Sequence, residues 1–244
     1  MSTYKGAKSA LIAENTLPRV KFMIKAIIKE LFSEGGSIAL PYIEKEEYPW
    51  LAIPNIKDII LDIQATLDGE EYYSPTPGVM ISKGATVAPS AVICAPAIIM
   101  RGAEVRHCAY IRGSVVIGEG AVIGNSSEIK NSIIFNGAEI PHFNYVGDSI
   151  IGKRAHLGAG AVTSNIKSDR TNVTIRCEDR KIETGMRKLG AILGDGVEIG
   201  CGTVLNPGTV IGRGTTVYPL SSVRGVIPQD SIYKSEGVIT EKRR

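Results

Sequence analysis

The chain has 244 residues, a net charge of +3 and 43% hydrophobic residues. That length allows one or two domains with a sizeable core, and so small a net charge implies no broad field for nucleic acid. No apolar run is long enough for a membrane span. Residues 1–15 lack the charged-then-apolar order of a secretory leader, so a cytoplasmic protein is expected.

Glycine is abundant at 27 residues, while phenylalanine and tryptophan number only 4 and 1. Tight turns and thin aliphatic strands suit that mix better than a bulky helical core. Cys94, Cys108, Cys177 and Cys201 form no CxxC pair and are expected to be buried free thiols in a reducing compartment.

Residues 1–78 read as a small helical N-terminal segment. Thr16 can cap a helix with Pro18 in its first turn, spanning 17–33 and stopping at Gly35-Gly36. Its apolar positions Val20, Met23, Ile24, Ile27, Ile28 and Leu31 follow helical spacing. A second helix is expected from Asn55 to about Asp68-Gly69, followed by a connection over 72–78 with Pro75 and Pro77. These helices are expected to cover the first turn of the repeat that follows and protect its open edge, or to contact a partner subunit. No glycine-rich phosphate loop occurs here, so no nucleotide site is expected in this segment.

Residues 79–235 carry a hexad repeat. Ile81, Val87, Ile93, Ile99, Val105, Ile111, Ile117, Ile123, Ile129 and Phe135 are spaced by six, and all are large and apolar. Four residues after each stands a small or aliphatic one, as in Ala85, Ala91, Ala97, Ala103, Ala109, Val115, Ala121, Ser127 and Ile133. Both sets are expected to point inward. The phase resumes at Ile151 and Leu157, then at Leu193, Ile199, Leu205, Ile211, Val217 and Val223. A period of six excludes an amphipathic helix and ordinary alternating strands. It fits a mainly β solenoid, in which three hexads, each a short strand and a corner, make one triangular coil and the coils stack as parallel strands. Residues 236–244 are read as a tail.

The repeat breaks twice. Residues 164–190 form an excursion with seven basic residues against four acidic ones, a natural substrate arm. The other break lies between Phe135 and Ile151 and contains His142, Asn144 and Tyr145. A local rule is most often broken where function sits. His107 is read as a surface residue, and His156 as a residue that can face a neighbouring subunit.

Arg112 and Lys130 stand three hexads apart in unbroken phase. In a coil of three hexads they become vertical neighbours, one strand spacing (~4.8 Å) apart. Stacked cations repel, and an anion such as phosphate between them resolves the repulsion. Glu128 points to the same side as Lys130, where it can partner those cations or orient the His142 imidazole.

These residues carry a resemblance. The run Arg112, Glu128-Ile-Lys130, His142-Phe-Asn-Tyr145-Val-Gly-Asp148, Gly158-Ala159-Gly160 and Thr163-Ser-Asn165 resembles the C-terminal acetyltransferase domain of the bifunctional bacterial enzyme that makes UDP-N-acetylglucosamine. It is also similar to the equivalent domain of archaeal sugar-1-phosphate nucleotidylyltransferases, especially at Arg187-Lys188-Leu189-Gly190-Ala191. The resemblance covers about residues 80–235. It implies a left-handed parallel β-helix, and an N-acetyltransferase that uses acetyl-CoA on glucosamine-1-phosphate or galactosamine-1-phosphate in UDP-N-acetylhexosamine synthesis.

It further implies that His142 is the general base, that Glu128 steadies it, and that the Ala159 backbone N–H stabilises the oxyanion. Arg112 and Lys130 then hold the sugar phosphate, and Tyr145 and Asn165 make further sugar contacts. The coils from Leu193 to Val223 carry coenzyme A across a subunit boundary of a homotrimer, with Cys201, Pro219, Arg187 and Lys188 as cofactor-binding residues and Arg213 beside them. An imidazole titrates near neutral pH and can take the proton of an attacking amine. Three residues depart from the family pattern: His156 stands in place of asparagine, Ile166 in place of an aromatic, and Cys201 in place of serine. They surround the sugar and acyl pockets and leave the substrate open.

Two other readings fit the repeat. One is a non-catalytic oligomerisation or regulatory module beside a separate sugar nucleotidyltransferase; the other is an O-acyltransferase of the same fold. A zinc site is not expected, because His107, His142 and His156 lack a closely spaced pair.

Overall fold

The computed structural model describes residues 27–177, 180–234 and 237–242. The chain is mainly β and winds as a parallel β-helix with three faces. One face stacks Val79–Ser82, Ala97–Ile99, Val115–Ile117, residues 132–134 and 149–151, Ala191–Leu193, Thr209–Ile211 and Val226–Ile227. A second runs from Thr86–Val87 through Glu139–His142 to Ser231–Tyr233. The third carries Val92–Ile93, Tyr110–Ile111, residues 128–130 and 145–147, Val162–Thr163, Val204–Leu205 and Ser222–Val223.

The interior is a ladder of large aliphatic residues beside small ones. Ile99, Val105, Ile111, Ile117, Ile123 and Ile129 are all buried there, with Ala103, Ala109 and Ala121 as the small neighbours. The period is not six throughout. Glu128 pairs with Tyr145 and Ile134 with Ile151, so these coils fall one residue short of three hexads. The missing residue falls between Ile129 and Ile134, which are both interior. Phe135 and Ile133, expected inward, therefore point outward and pack with the helices. Ser132 and Ile134 take the interior places. In the same way Val146 is followed five residues later by interior Ile151.

The first face is buried on both sides. Its outward residues Ile98, Val116, Ile133, Ile150, Ile192 and Val210 share one buried cluster with Leu31, Trp50, Ile53, Ile56, Ile60 and Ile63. That double burial explains the unbroken apolar runs on this face (AII, VVI, AIL). The described helices thus lie along a flank of the solenoid, and the edge protection expected of them comes instead from Tyr72–Tyr73, which pairs antiparallel with Ile81–Ser82 on the first strand. Ala85, Val87, Ala91 and Ile93 stay only partly buried in the first coil.

The expected first helix is seen as Ile27–Leu31; Thr16, Pro18, Val20, Met23 and Ile24 lie outside the described residues. Ser33 fixes the end of this helix to the solenoid by donating from N and Oγ to Asp195 Oδ2, at 2.7 and 2.6 Å. The second helix spans Ile56–Gln64, ending short of Asp68, and continues a 3-10 turn over Pro49–Asn55. A short helix at Leu40–Ile43 went unread in the sequence.

Residues 164–190 leave the coil and carry a hairpin, Thr174–Cys177 against Arg180–Glu183. The tail is held as well: Ile239–Glu241 pairs antiparallel with Ser231–Tyr233. Of the four cysteines only Cys177 is buried. Cys108 and Cys201 are exposed and Cys94 is intermediate, which corrects the expectation of buried thiols.

Candidate active site

The third face is the narrow wall between two corners, and both corners carry candidate site residues. At the first corner one residue per coil passes its carbonyl to the next coil. Phe143 N donates to Asn125 O at 2.9 Å, Gly160 N to His142 O at 3.0 Å, Gly202 N to Ala159 O at 2.8 Å and Leu220 N to Cys201 O at 2.9 Å. His142, Ala159 and Cys201 are therefore consecutive rungs, each one strand spacing (~4.8 Å) from the next. Pro219, just before Leu220, continues the same corner. The residue after each rung has positive φ: Phe143 +52°, Gly160 +70°, Gly202 +67° and Leu220 +58°. Non-glycine residues in that region are uncommon, and here they aim Phe143 and Leu220 into solvent, 65% and 84% exposed.

Asn144 locks this corner from inside. It occupies a small interior place four residues after Ile140 and is almost fully buried. Its Oδ1 accepts from His142 N at 3.0 Å, and its Nδ2 donates to Gly158 O at 2.8 Å and Ala161 O at 3.0 Å. One buried amide thus fixes the backbone under His142 and on both sides of Ala159. The His142 ring is exposed and makes no hydrogen bond among the described residues. The Ala159 N–H likewise meets no acceptor among the described residues.

The other corner holds the charges. Ile129 pairs with Ile111 and Arg112 N donates to Ile129 O at 2.8 Å, so Arg112 and Lys130 are vertical neighbours. Each has an acid. Arg112 Nη1 meets Glu128 Oε1 at 2.6 Å, and Lys130 Nζ lies 3.6 Å from Asp148 Oδ2. The Glu128 hydrogen bond raises the Arg112 guanidinium above its ordinary value. Of the two roles open to Glu128, the structure shows the cation partner; the imidazole is not its partner in this chain.

Tyr145 and Asn165 join the same corner. Asn165 Nδ2 donates to Tyr145 Oη at 3.2 Å and also to Asp148 Oδ2. Leu189 N donates to Asn165 O at 3.0 Å. That bond places the backbone leading from Arg187 and Lys188 into Leu189 at the corner of Arg112 and Lys130, away from the corner of Cys201 and Pro219. Arg213 is engaged elsewhere, with Nη2 donating to Lys29 O at 2.8 Å. His156 sits on the second face with Nδ1 3.0 Å from Glu139 Oε2, and His107 is exposed, as read.

A model of the GMPPB C-terminal domain matches residues 93–239. The chain belongs to the GMPPB C-terminal domain family. The chain is 34% identical to the bifunctional protein GlmU of Methanococcus maripaludis over 241 residues, which is 96% of this chain and 58% of that protein. It is 33% identical to the bifunctional sugar-1-phosphate nucleotidylyltransferase/acetyltransferase of Sulfurisphaera tokodaii over 109 residues, 45% of this chain and 27% of that protein. The chain thus spans less than two thirds of the length of these relatives. Among solved structures, the acetyltransferase domain of PglB from Neisseria gonorrhoeae aligns at 17% identity with a TM-score of 0.29, over 74% of this chain and 62% of that one.

In this GMPPB C-terminal domain the residue that sequence reasoning passed over is Asp148. Its side chain is 5% exposed and gathers three neighbours: Asn131 Nδ2 at 2.8 Å, Asn165 Nδ2, and Lys130 Nζ. It stands at φ +50°, one coil below Asn131 at +45°. Two Asx residues separated by one shortened coil, each able to take a left-handed turn, were the available signal. Burial raises the Tyr145 phenol above its ordinary value, and the Asp148 carboxylate pushes it the same way. Asp148→Asn is therefore expected to lower the Tyr145 titration. An alkaline absorbance titration, with Tyr145→Phe as the subtraction control, reads this; an unmoved phenol would separate the two groups.

Proposed function

We propose that this chain is an acetyl-CoA-dependent N-acetyltransferase acting on glucosamine-1-phosphate or galactosamine-1-phosphate. The observation that carries this reading is one face bounded by His142 and a free Ala159 N–H on one side and by stacked Arg112 and Lys130 on the other, among the described residues. Arg112 and Lys130 take the phosphate, exchanging their carboxylate partners for it in part. Tyr145 and Asn165 meet the ring, and Arg187 and Lys188 stand beside them. The amine then lies toward His142.

The chemistry follows from those positions. The amine nitrogen attacks the thioester carbonyl as its proton passes to the His142 ring. Negative charge develops on the carbonyl oxygen, where the Ala159 N–H donates. The C–S bond breaks and the proton goes on from His142 to the thiolate. Glu128 acts on the imidazole only through the charge network, since Arg112 holds it.

The corner below His142 fits the acyl donor. Ala159, Cys201 and Pro219 are small, consecutive and exposed. Among the described residues the Cys201 N–H also has no acceptor, so an extended amide-bearing arm finds donors along this corner. The exposed apolar side chains of Phe143, Val204, Tyr218 and Leu220 favour a partner subunit over this face. A cytoplasmic homotrimer is part of the proposal.

Thiol release from acetyl-CoA, measured across a panel of amino-sugar 1-phosphates, tests it. Turnover is expected with an amino-sugar 1-phosphate and not with the same sugar lacking its phosphate. No release with any member of the panel would refute the reading.

A further inference from the structure

The basic excursion contains cations that the proposed reaction does not use. Val173 and Ile175 are buried against the solenoid, which turns Thr174 and Arg176 of the hairpin outward. The hairpin is seated on two glycine corners. A Cβ on Gly208 (φ +78°) would lie 2.8 Å from Val173 Cγ1, and one on Gly225 (φ +77°) 2.8 Å from Arg176 O. This close approach sets Arg176 beside Arg224. Between hairpin and coil lies a cavity of about 320 Å³ whose lining includes Lys167, Arg176, Arg224, Ser164 and Asn206.

Its charge is one-sided. Asp169 is the one acid in the lining among the described residues. It is occupied by the Thr171 N–H at 3.0 Å, the Thr171 hydroxyl at 2.8 Å and Lys167 Nζ at 3.4 Å. Arg176 and Arg224 are exposed, and neither guanidinium has a hydrogen-bond or ion-pair partner among the described residues. Two free guanidiniums facing one cavity repel unless an anion sits between them. Exposed Ile166 and the ring of Pro207 give the same cavity an apolar wall.

The cavity adjoins the phosphate corner at Ser164 and Ile166, on either side of Asn165, and its Arg224 lies well away from it. Lys130 pairs with Gly147, Ser164 N donates to Leu205 O, and Asn206 N donates to Val223 O. The column therefore runs Lys130, Gly147, Ser164, Asn206, Arg224. Four strand steps of ~4.8 Å place Arg224 about 19 Å from Lys130, too far for one phosphate to touch both.

We propose that the cavity under the hairpin is a second anion site, taking a phosphate or diphosphate group carried on a small organic body. The inference does not depend on acetyl transfer. Calorimetric titration of the full chain with inorganic pyrophosphate tests it in three forms: wild type, Arg112→Ala/Lys130→Ala, and that pair combined with Arg176→Gln/Arg224→Gln. The double variant is expected to keep pyrophosphate binding, and the quadruple variant to weaken it at least tenfold. Both arginines are exposed, so the fold, checked by far-UV spectrum, is expected to persist. A double variant that binds no pyrophosphate, or a quadruple variant that binds as tightly as the double, overturns the proposal. Parallel titrations of Arg176→Gln/Arg224→Gln with coenzyme A and with UDP separate the sources. A tenfold loss for coenzyme A assigns the phosphate to the acyl donor, and the same loss for UDP assigns it to a nucleotide.

Discussion

Replacing His142 by alanine is expected to lower acetyl transfer by about 10²–10⁴-fold, the usual contribution of a general base. The loss should appear in kcat and in kcat/KM alike, because the ring acts in the transition state and holds no ground-state partner among the described residues. The fold should survive. The His142 ring is exposed, and its backbone is held by Asn144 Oδ1 and by Gly160 N, neither of which the substitution touches. Asn144→Ala is the instructive contrast. It frees the carbonyls of Gly158 and Ala161 and so moves Ala159 as well as His142. Single-turnover rates and a thermal melt distinguish the two variants. An alanine variant at 142 with undiminished turnover would remove the catalytic reading and leave a scaffold.

Much of this geometry was legible because a solenoid converts sequence separation into spatial position. Three hexads between Arg112 and Lys130 meant one circuit, and the register of Ile111 with Ile129 shows that circuit. Ala103, Ala109 and Ala121 announced narrow interior positions, and they are buried there. What the period could not tell was where it would shorten. Ser132 and Ile134 against Ile133 and Phe135 offer two registers that the hexad count alone does not separate. Only the presence of an outer apolar layer decides which pair faces out. That layer comes from residues 28–63, far away in sequence, and its demand for partners overrides the strict count of six. Asp148 escaped for a related reason. A carboxylate looks like a surface residue until the corner that buries it is known, and that corner exists only because the coils through Glu128–Ile134 and Tyr145–Ile151 are shortened by one residue. Glu128 had two open roles because it stands one strand step from the coil of Arg112 on one side and one from the coil of His142 on the other.

The outer layer also makes Phe135 the residue whose truncation most directly measures it. Phe135 is fully buried, with its ring 4.8 Å from that of Phe32, and Gly36 approaches so closely that a Cβ there would lie 3.0 Å from Phe135 Cδ2. Phe135→Ala is expected to cost about 3–5 kcal/mol, the range for deleting a buried ring and leaving a cavity that relaxes incompletely. Had Phe135 faced inward, the cost would fall on the coil and take the active site with it. Because it faces outward, the solenoid should keep its stacked strands while the helices at Leu40–Ile43 and Ile56–Gln64 loosen. Urea denaturation gives the loss in stability, and native-state hydrogen exchange locates it. Faster exchange confined to residues 28–63, with protection retained at Glu128–Ile134 and Tyr145–Ile151, is the expected pattern. Ile134→Val, one methylene smaller and inside the coil, should cost only about 0.5–1.5 kcal/mol but spread its effect along the ladder. Uniform exchange in Phe135→Ala would mean that the helical layer and the solenoid unfold as one unit, and that the flank is as much a part of the core as the ladder it covers.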